Sequence, residues 1–208
     1  MLFFRDEPSN LNFKDVYKEK GVLVLPFSLN PYFCEQIVND GINSTLNGKS
    51  FQRTGKFAIQ TDYNVIHLEL DQTIYVTRLI VSNSKMKNFI SNLLSTNKEI
   101  FGMYNIIQFS KSENELSWHQ DPDTSSEIKR LIGFSILLSC PKEGGEFEIK
   151  NIKNNKVSTV LPTKVGQIHV FNVNHQDYFH RVKSCTGNPG RISISGWYVT
   201  RDLLTQME

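Results

Sequence analysis

The sequence predicts a mainly β (α+β) protein, a double-stranded β-helix or jelly roll with supporting N-terminal helices. Three observations carry that expectation. From Phe101 onward, short runs rich in β-branched and aromatic residues recur at regular spacing with turn residues between them, at 103–110, 116–121, 130–139, 146–150, 156–161, 167–173, 178–183 and 191–200. Eight such runs fit a jelly roll. Before Phe101 the pattern is mixed, with apolar residues at helical spacing among shorter extended runs. Finally, 208 residues with 39% hydrophobic content suffice for one sizeable core. The expected organisation is therefore a supporting segment over 1–100 and a jelly-roll core over 101–208, integrated as one domain.

Residues 1–20 mix charges with Pro8 and Asn10 and read as a loose arm or a short helix. Gly21 to Phe27 (Gly-Val-Leu-Val-Leu-Pro-Phe) is an apolar run bounded by glycine and proline, the pattern of a strand entering the core. Asn30 can cap a helix whose first residue is Pro31, which puts Phe33, Cys34, Ile37 and Val38 on one apolar stripe. The polar, glycine-punctuated stretch 44–57 reads as a loop of the length that covers a site. Alternation around Val65 to Leu70 and again around Ile74 to Val81 predicts strands, with His67 an ordinary surface or interface histidine. Met86, Phe89, Ile90, Leu93 and Leu94 predict a second helix over Lys85 to Leu94. In the second half, Gly144-Gly145 allows a tight turn into Glu146-Phe-Glu-Ile. Pro162-Thr-Lys-Val-Gly166 is a turn before Gln167-Ile-His-Val-Phe171.

Twenty-three Lys and Arg against 21 Asp and Glu give no basic field strong enough to imply nucleic acid or an anionic membrane. The charge balance names no partner, and the sequence does not indicate an oligomeric state. Cys34, Cys140 and Cys185 are an odd count without a Cys-x-x-Cys, fitting neither a disulfide framework nor a zinc site. Free thiols and a cytoplasmic location are expected. The opening Met-Leu-Phe-Phe-Arg-Asp-Glu-Pro meets charge too early for a signal sequence. No apolar run approaches the ~18 residues of a membrane span.

Chemistry concentrates in Trp118-His119-Gln120-Asp121, together with His180 and Arg191 far downstream. Two histidines and one carboxylate hold ferrous iron by one face and leave other positions open. His119 and Asp121, two apart, project to the same side of a strand and can grip one ion. A lone His-x-Asp is weak, and the chain has a second at His175-Gln176-Asp177, next to His180. Ligands drawn from 175, 177 and 180 would crowd into six residues, whereas facial coordination needs separate strands. The set His119, Asp121 and His180 is preferred. His175 and Asp177 are read as loop residues. His169, alternating with Ile168 and Val170, is read as a core or rim histidine rather than the third ligand.

Taken in order, these pieces resemble the iron(II)- and 2-oxoglutarate-dependent oxygenases, within them the prolyl-hydroxylase-like branch. The resemblance rests on His119-Gln-Asp121, Arg130-Leu-Ile-Gly-Phe-Ser-Ile-Leu-Leu-Ser and Gly144-Gly145-Glu146-Phe147. It continues through Pro162-Thr-Lys-Val-Gly166, Val170-Phe171, Phe179-His180-Arg181-Val182 and Gly190-Arg191-Ile-Ser193, covering roughly 101–200, with Gly21 to Val38 similar to the branch's strand-helix opening. It implies His119, Asp121 and His180 as iron ligands, and Arg191, eleven residues after His180, as the group that binds the distal carboxylate of 2-oxoglutarate. Ser193, on the same strand face, would add a hydrogen bond. The implied activity is hydroxylation of an unactivated C–H bond, using Fe(II), 2-oxoglutarate and O2, with ascorbate as a supporting reductant and with succinate and CO2 released. The implied substrate is a prolyl or other residue of a protein or peptide; a free amino acid or small natural product is the alternative. Family members that halogenate carry a small residue at the carboxylate ligand, so Asp121 implies hydroxylation or a related oxidation.

The chain departs from the family in places. Phe109 only approximates the tyrosine that often precedes the His-x-Asp strand, and Ser112-Glu-Asn-Glu replaces a glycine-containing spacer. A tyrosine that helps bind 2-oxoglutarate in some prolyl hydroxylases maps near Leu137, which cannot donate. Tyr104, Gln108, Ser135 or another donor is expected to substitute. Trp118 should point away from the metal and pack. A non-catalytic cupin-like binding module is the rival from another class, although such modules usually lose a ligand or the arginine. Nucleic-acid demethylases resemble this chain in the triad but carry a second arginine six residues after the first, where this chain has Trp197.

Overall fold

The computed structural model describes residues 3–7, 12–47, 51–54, 62–109, 115–121, 129–174 and 176–200. The first half comprises β1 (Phe4–Asp6), α1 (Phe13–Lys20), β2 (Val22–Val24), β3 (Phe27–Leu29), α2 (Pro31–Leu46), β4 (Phe51–Thr54), β5 (Asp62–Ile66), α3 (Asp71–Val81) and α4 (Ser84–Leu94). The second half is built of strands: β6 (Ile100–Phe109), β7 (Leu116–His119), β8 (Arg130–Ser139), β9 (Glu143–Gly144), β10 (Phe147–Asn151), β11 (Val157–Val160), β12 (Ile168–Phe171), β13 (Tyr178–Val182), β14 (Cys185–Thr186) and β15 (Arg191–Thr200). All eight strand runs expected after Phe101 are present. Among the described residues, no helix is long and apolar enough to cross a membrane.

Two antiparallel sheets form the core. The larger runs β2-β12-β8-β15-β6-β5-β4 and the smaller β11-β10-β13-β7. The eight jelly-roll strands are thus β12-β8-β15-β6 and β11-β10-β13-β7, and the N-terminal half extends the larger sheet at both edges. Alternation sorts the side chains. Ile132, Phe134, Ile136 and Leu138 of β8 and Ile192, Ile194 and Tyr198 of β15 join a cluster with Cys34, Ile37, Ile80, Met86 and Ile90 of the helices. Burying each such side chain contributes ~1.5–3 kcal/mol, which holds the helices to this face. Phe109 and Phe171 face the opposite way and pack with Phe147, Ile149, Tyr178 and Val182 of the smaller sheet. Positions 191, 193, 195 and 197 of β15 therefore look into the space between the sheets.

The N-terminal half differs from its pattern in several places. Residues 13–20 form the helix of the two readings for 1–20. It ends at Gly21 (φ +71°), where a Cβ would lie 2.5 Å from the Tyr178 ring. The single strand expected from Gly21 to Phe27 is two: β2 pairs with β12 and β3 with β1, separated at Leu25-Pro26. Proline has no N–H for a ladder, and its carbonyl accepts from Glu7 N–H (2.8 Å) instead. Asn30 caps α2 as expected, its Oδ1 accepting from Tyr32 N–H (3.1 Å). The loop expected over 44–57 contains the end of α2 and the edge strand β4; residues 48–50 and 55–57 lie outside the described residues.

Ile74 to Val81, expected to be extended, is helix α3. Its buried residues are Thr73, Thr77, Ile80 and Val81, a three-to-four spacing that outweighs the β-branched composition, and Thr77 Oγ1 donates to Thr73 O (2.8 Å). Asp40, buried on α2, accepts the N–H groups of Glu69 and Leu70 (both 3.2 Å) and fixes where α3 begins.

Candidate active site

Strands β7 and β13 are antiparallel neighbours in which His119 and His180 are direct cross-strand partners. Their ring centroids stand 4.1 Å apart. The extended run expected over 116–121 stops at His119, and the chain leaves the sheet so that Asp121 turns back between the two imidazoles. Asp121 Oδ1 lies 3.7 Å from His119 Nε2, and Oδ2 lies 3.4 Å from His180 Nε2. One donor atom from each residue falls within 4.8 Å of the others, the one such group among the described residues. Two imidazole nitrogens and a carboxylate oxygen gathered this closely could hold one divalent ion between them.

Each of the three side chains is held from behind. His119 Nδ1 lies 2.8 Å from Ser117 O, which selects the tautomer with Nδ1 protonated and leaves the Nε2 lone pair toward the cluster. His180 is buried against Phe171 (4.8 Å between centroids) and Phe147 (5.8 Å). Burial first, then the neighbouring His119, pushes its pKa down to about 3, so it is neutral at working pH. Asp121 Oδ2 accepts from Trp197 Nε1 at 2.7 Å. Trp197 was not anticipated as a support for the carboxylate. Its even spacing from Arg191 was the available signal, since residues 191, 193, 195 and 197 share one face.

Deeper between the sheets, Arg191 is 2% exposed. It donates to Ser193 Oγ (2.9 Å) and Ser135 Oγ (3.2 Å); Ser195 Oγ joins both serines at 3.0 and 3.1 Å. Gly145 (φ +75°) leaves room for it, for a Cβ there would lie 3.2 Å from Arg191 Cδ. Burial pushes the Arg191 pKa down to about 10, still charged at neutral pH, and among the described residues no acid stands among the groups that act on it. Its Nε has no hydrogen-bond partner among the described residues. A buried guanidinium bonded only to neutral hydroxyls is costly until an anion joins it. The pocket therefore suits a carboxylate.

The strand register corrects two expected substitutes for the missing tyrosine. The β6 partners of Arg191, Ser193 and Ser195 are Phe109, Ile107 and Asn105, so Tyr104 and Gln108 face the other way. Tyr104 packs on the helix-covered cluster, and Gln108 Nε2 donates to Pro189 O (2.7 Å). Ser135 is the expected substitute that does reach the pocket. Trp118 points away from the cluster and lies under the Arg181 guanidinium (4.7 Å). Asp177 pairs with Lys153 (2.7 Å) in a surface loop, and His175 lies outside the described residues.

Comparison with known proteins agrees with this geometry. Residues 104–199 match the model of the 2OG-Fe(II) oxygenase superfamily. No curated protein matches the sequence. The structure is similar to a prolyl-4-hydroxylase from Pseudomonas putida (14% identity, TM-score 0.66, covering 91% of this chain and 97% of that one). It is also similar to an oxidoreductase of the 2OG-Fe(II) oxygenase family from Burkholderia pseudomallei (15%, TM-score 0.68, 89% and 88%). A third likeness is to a prolyl hydroxylase from Trichoplax adhaerens, solved with a hypoxia inducible factor oxygen degradation domain peptide fragment (14%, TM-score 0.63, 94% and 91%). Such identities carry the fold alone, and the family match over 104–199 carries the activity class, one that implies Fe(II), 2-oxoglutarate and O2. With a double-stranded β-helix whose interior holds two histidines, a carboxylate and a buried arginine, this chain is similar over residues 104–199 to the 2OG-Fe(II) oxygenase superfamily.

Proposed function

We propose that His119, Asp121 and His180 hold ferrous iron, that Arg191 with Ser193 and Ser135 binds the distal carboxylate of 2-oxoglutarate, and that the enzyme hydroxylates a prolyl or other residue of a protein or peptide. The observation that carries the proposal is the buried Arg191, without an acid partner among the described residues, in the same interior as the three potential ligands. Bound iron, with 2-oxoglutarate and O2, supplies the oxidant for an unactivated C–H bond: one oxygen atom enters the substrate as hydroxyl and the other leaves in succinate, with CO2 released.

The chain's residues supply placement. Ser117 O holds His119 in the metal-binding tautomer, and Trp197 fixes one oxygen of Asp121, leaving the other free to turn to the metal. Phe147 and Phe171 wall off His180 and exclude water from its side of the site. Arg191 would anchor the cosubstrate at its far end and so limit how its keto-acid end could lie against the cluster of His119, Asp121 and His180.

A peptide substrate is favoured by the prolyl hydroxylases among the structural neighbours, one of them solved with a peptide. Trp197, in place of a second arginine, supports a substrate other than alkylated nucleic acid. Free thiols at Cys34, Cys140 and Cys185 support a reducing, cytoplasmic setting. Residues 1–100 are read as support for the jelly roll within one domain, since β2, β4 and β5 extend its larger sheet. The test is succinate release from 2-oxoglutarate, with ascorbate present, across a panel of proline-containing peptides and free amino acids. Stimulation by peptides supports the proposal; stimulation by free amino acids alone would reassign the substrate.

A further inference from the structure

Among the described residues, His169 is the one buried histidine outside the cluster of His119, Asp121 and His180. It sits on β12 directly opposite Ser135 of β8, and Ser135 is itself opposite Ser195 of β15. Cross-strand partners in an antiparallel sheet share a face, so His169 looks into the interior that holds the Arg191 guanidinium. It is 4% exposed. Its ring lies against Phe147 (4.6 Å), which also packs on His180, so aromatic packing separates it from the metal cluster, and it is not in that group.

Its Nε2 is buried and has no hydrogen-bond partner among the described residues. A buried polar atom left unpaired costs about 1–3 kcal/mol, and such atoms in folded proteins call for an explanation. Arg191 Nε is orphaned as well. Arg191 is close enough to act on His169: burial, with the Arg191 charge second, pushes the imidazole down to about 3 and keeps it neutral. A neutral imidazole beside a guanidinium can offer Nε2–H to an anion without competing for the positive charge. Two unpartnered nitrogens thus come from side chains on one face of the larger sheet, and a single carboxylate has lone pairs for both.

We propose that His169 is a cosubstrate-binding residue whose Nε2–H donates to the distal carboxylate of 2-oxoglutarate beside Arg191. This rests on the reading of the pocket as the 2-oxoglutarate site. His169 supplies the neutral donor that the family's tyrosine would have given, from a strand where alternation alone marks it as core. It would also set the length of the dicarboxylate accepted, because the donor is fixed in a packed aromatic wall.

The test is calorimetric titration of Mn(II)-loaded protein with 2-oxoglutarate and, separately, with pyruvate, which has the keto-acid end but no distal carboxylate. His169→Leu keeps an apolar side chain in the aromatic wall and removes the donor. It is expected to weaken 2-oxoglutarate binding about tenfold or more, the worth of one charge-assisted hydrogen bond, and to leave pyruvate affinity unchanged. Wild-type affinity for 2-oxoglutarate in the variant overturns the role of His169 while leaving the site intact, and equal weakening for both acids overturns it in favour of a packing role. If wild type itself fails to bind 2-oxoglutarate, the reading of the site falls and this inference with it. Should the variant not fold, wild type labelled with 15N-histidine and loaded with Zn(II) gives the answer. An imidazole N–H signal protected by 2-oxoglutarate but not by pyruvate supports the proposal, and its absence overturns it.

Discussion

Trp197 Nε1 donates to Asp121 Oδ2 at 2.7 Å, joining the larger sheet to the carboxylate that lies beside His119 and His180. The Arg130 guanidinium lies on the other part of this support, 3.9 Å from the Trp197 ring, and holds the indole in place. Asp121 stands beyond the end of β7, so the indole does for the carboxylate what a ladder hydrogen bond does for a residue inside a strand. Trp197→Phe keeps the packing and removes the donor. Outer-shell partners of metal ligands are worth 10–100-fold in affinity. Calorimetry is expected to show Mn(II) bound about tenfold or more weakly by the variant, with its thermal midpoint close to wild type. Unchanged metal affinity would mean that the indole merely packs.

Arg191→Ala removes the charge from the buried pocket and leaves Ser135, Ser193 and Ser195 to bond one another. The expected effect is on 2-oxoglutarate, not on metal: a buried charge-assisted pair costs about 2–5 kcal/mol when one partner is removed. The 2-oxoglutarate concentration giving half-maximal succinate formation should rise about 100-fold. A maximal rate that collapses at saturating 2-oxoglutarate would place Arg191 at the reacting centre instead.

The strand pattern after Phe101 was legible because each run is short, alternating and bounded by turn residues, and the burial of alternate side chains enforces it. The grouping of His119, Asp121 and His180 in space was legible for a related reason: side chains that meet at one point come from neighbouring strands. What one strand cannot show is which residues stand opposite it. Tyr104 and Gln108 were separated from Arg191 only by the β6–β15 register, whose odd positions face odd positions. The Trp197 contact depends on the exit of the chain after His119, which no periodicity encodes. Ile74 to Val81 misled because Thr73 and Thr77 are buried polar residues, and an apolar count overlooks them.

Histidines 169 and 180 make stability depend on pH. Burial holds both near a pKa of about 3 in the fold, whereas an unfolded histidine titrates near 6.5. Between those values the unfolded chain binds more protons, so stability rises with pH; the contribution is whole above about pH 6.5 and is lost as pH falls toward 3. Near pH 5.5 each histidine removes up to about 1.4 kcal/mol. The urea midpoint of metal-free protein should be lower near pH 5.5 than near pH 7.5, and His169→Leu should narrow the gap. Equal midpoints at the two pH values would mean that the imidazoles protonate freely in the fold.

Gly133 is where the larger sheet makes room for the aromatic wall of the site. A Cβ there would lie 2.2 Å from Phe171 Cζ, and Phe171 packs on His180. Gly133→Ala must displace that ring toward His180, at an overpacking cost of about 1–3 kcal/mol. Both the urea midpoint and Mn(II) affinity are expected to fall. A loss of stability with metal affinity intact would show that Phe171 moves without carrying His180.

The most direct measurement adds Fe(II) and 2-oxoglutarate to the protein without oxygen, then admits oxygen and quantifies succinate. Wild type is expected to release succinate, and Asp121→Ala, with one ligand of three removed, to release none. Succinate from Asp121→Ala at the wild-type rate, or 2-oxoglutarate bound tightly by wild type with no succinate formed, would contradict a ferrous centre built on His119, Asp121 and His180.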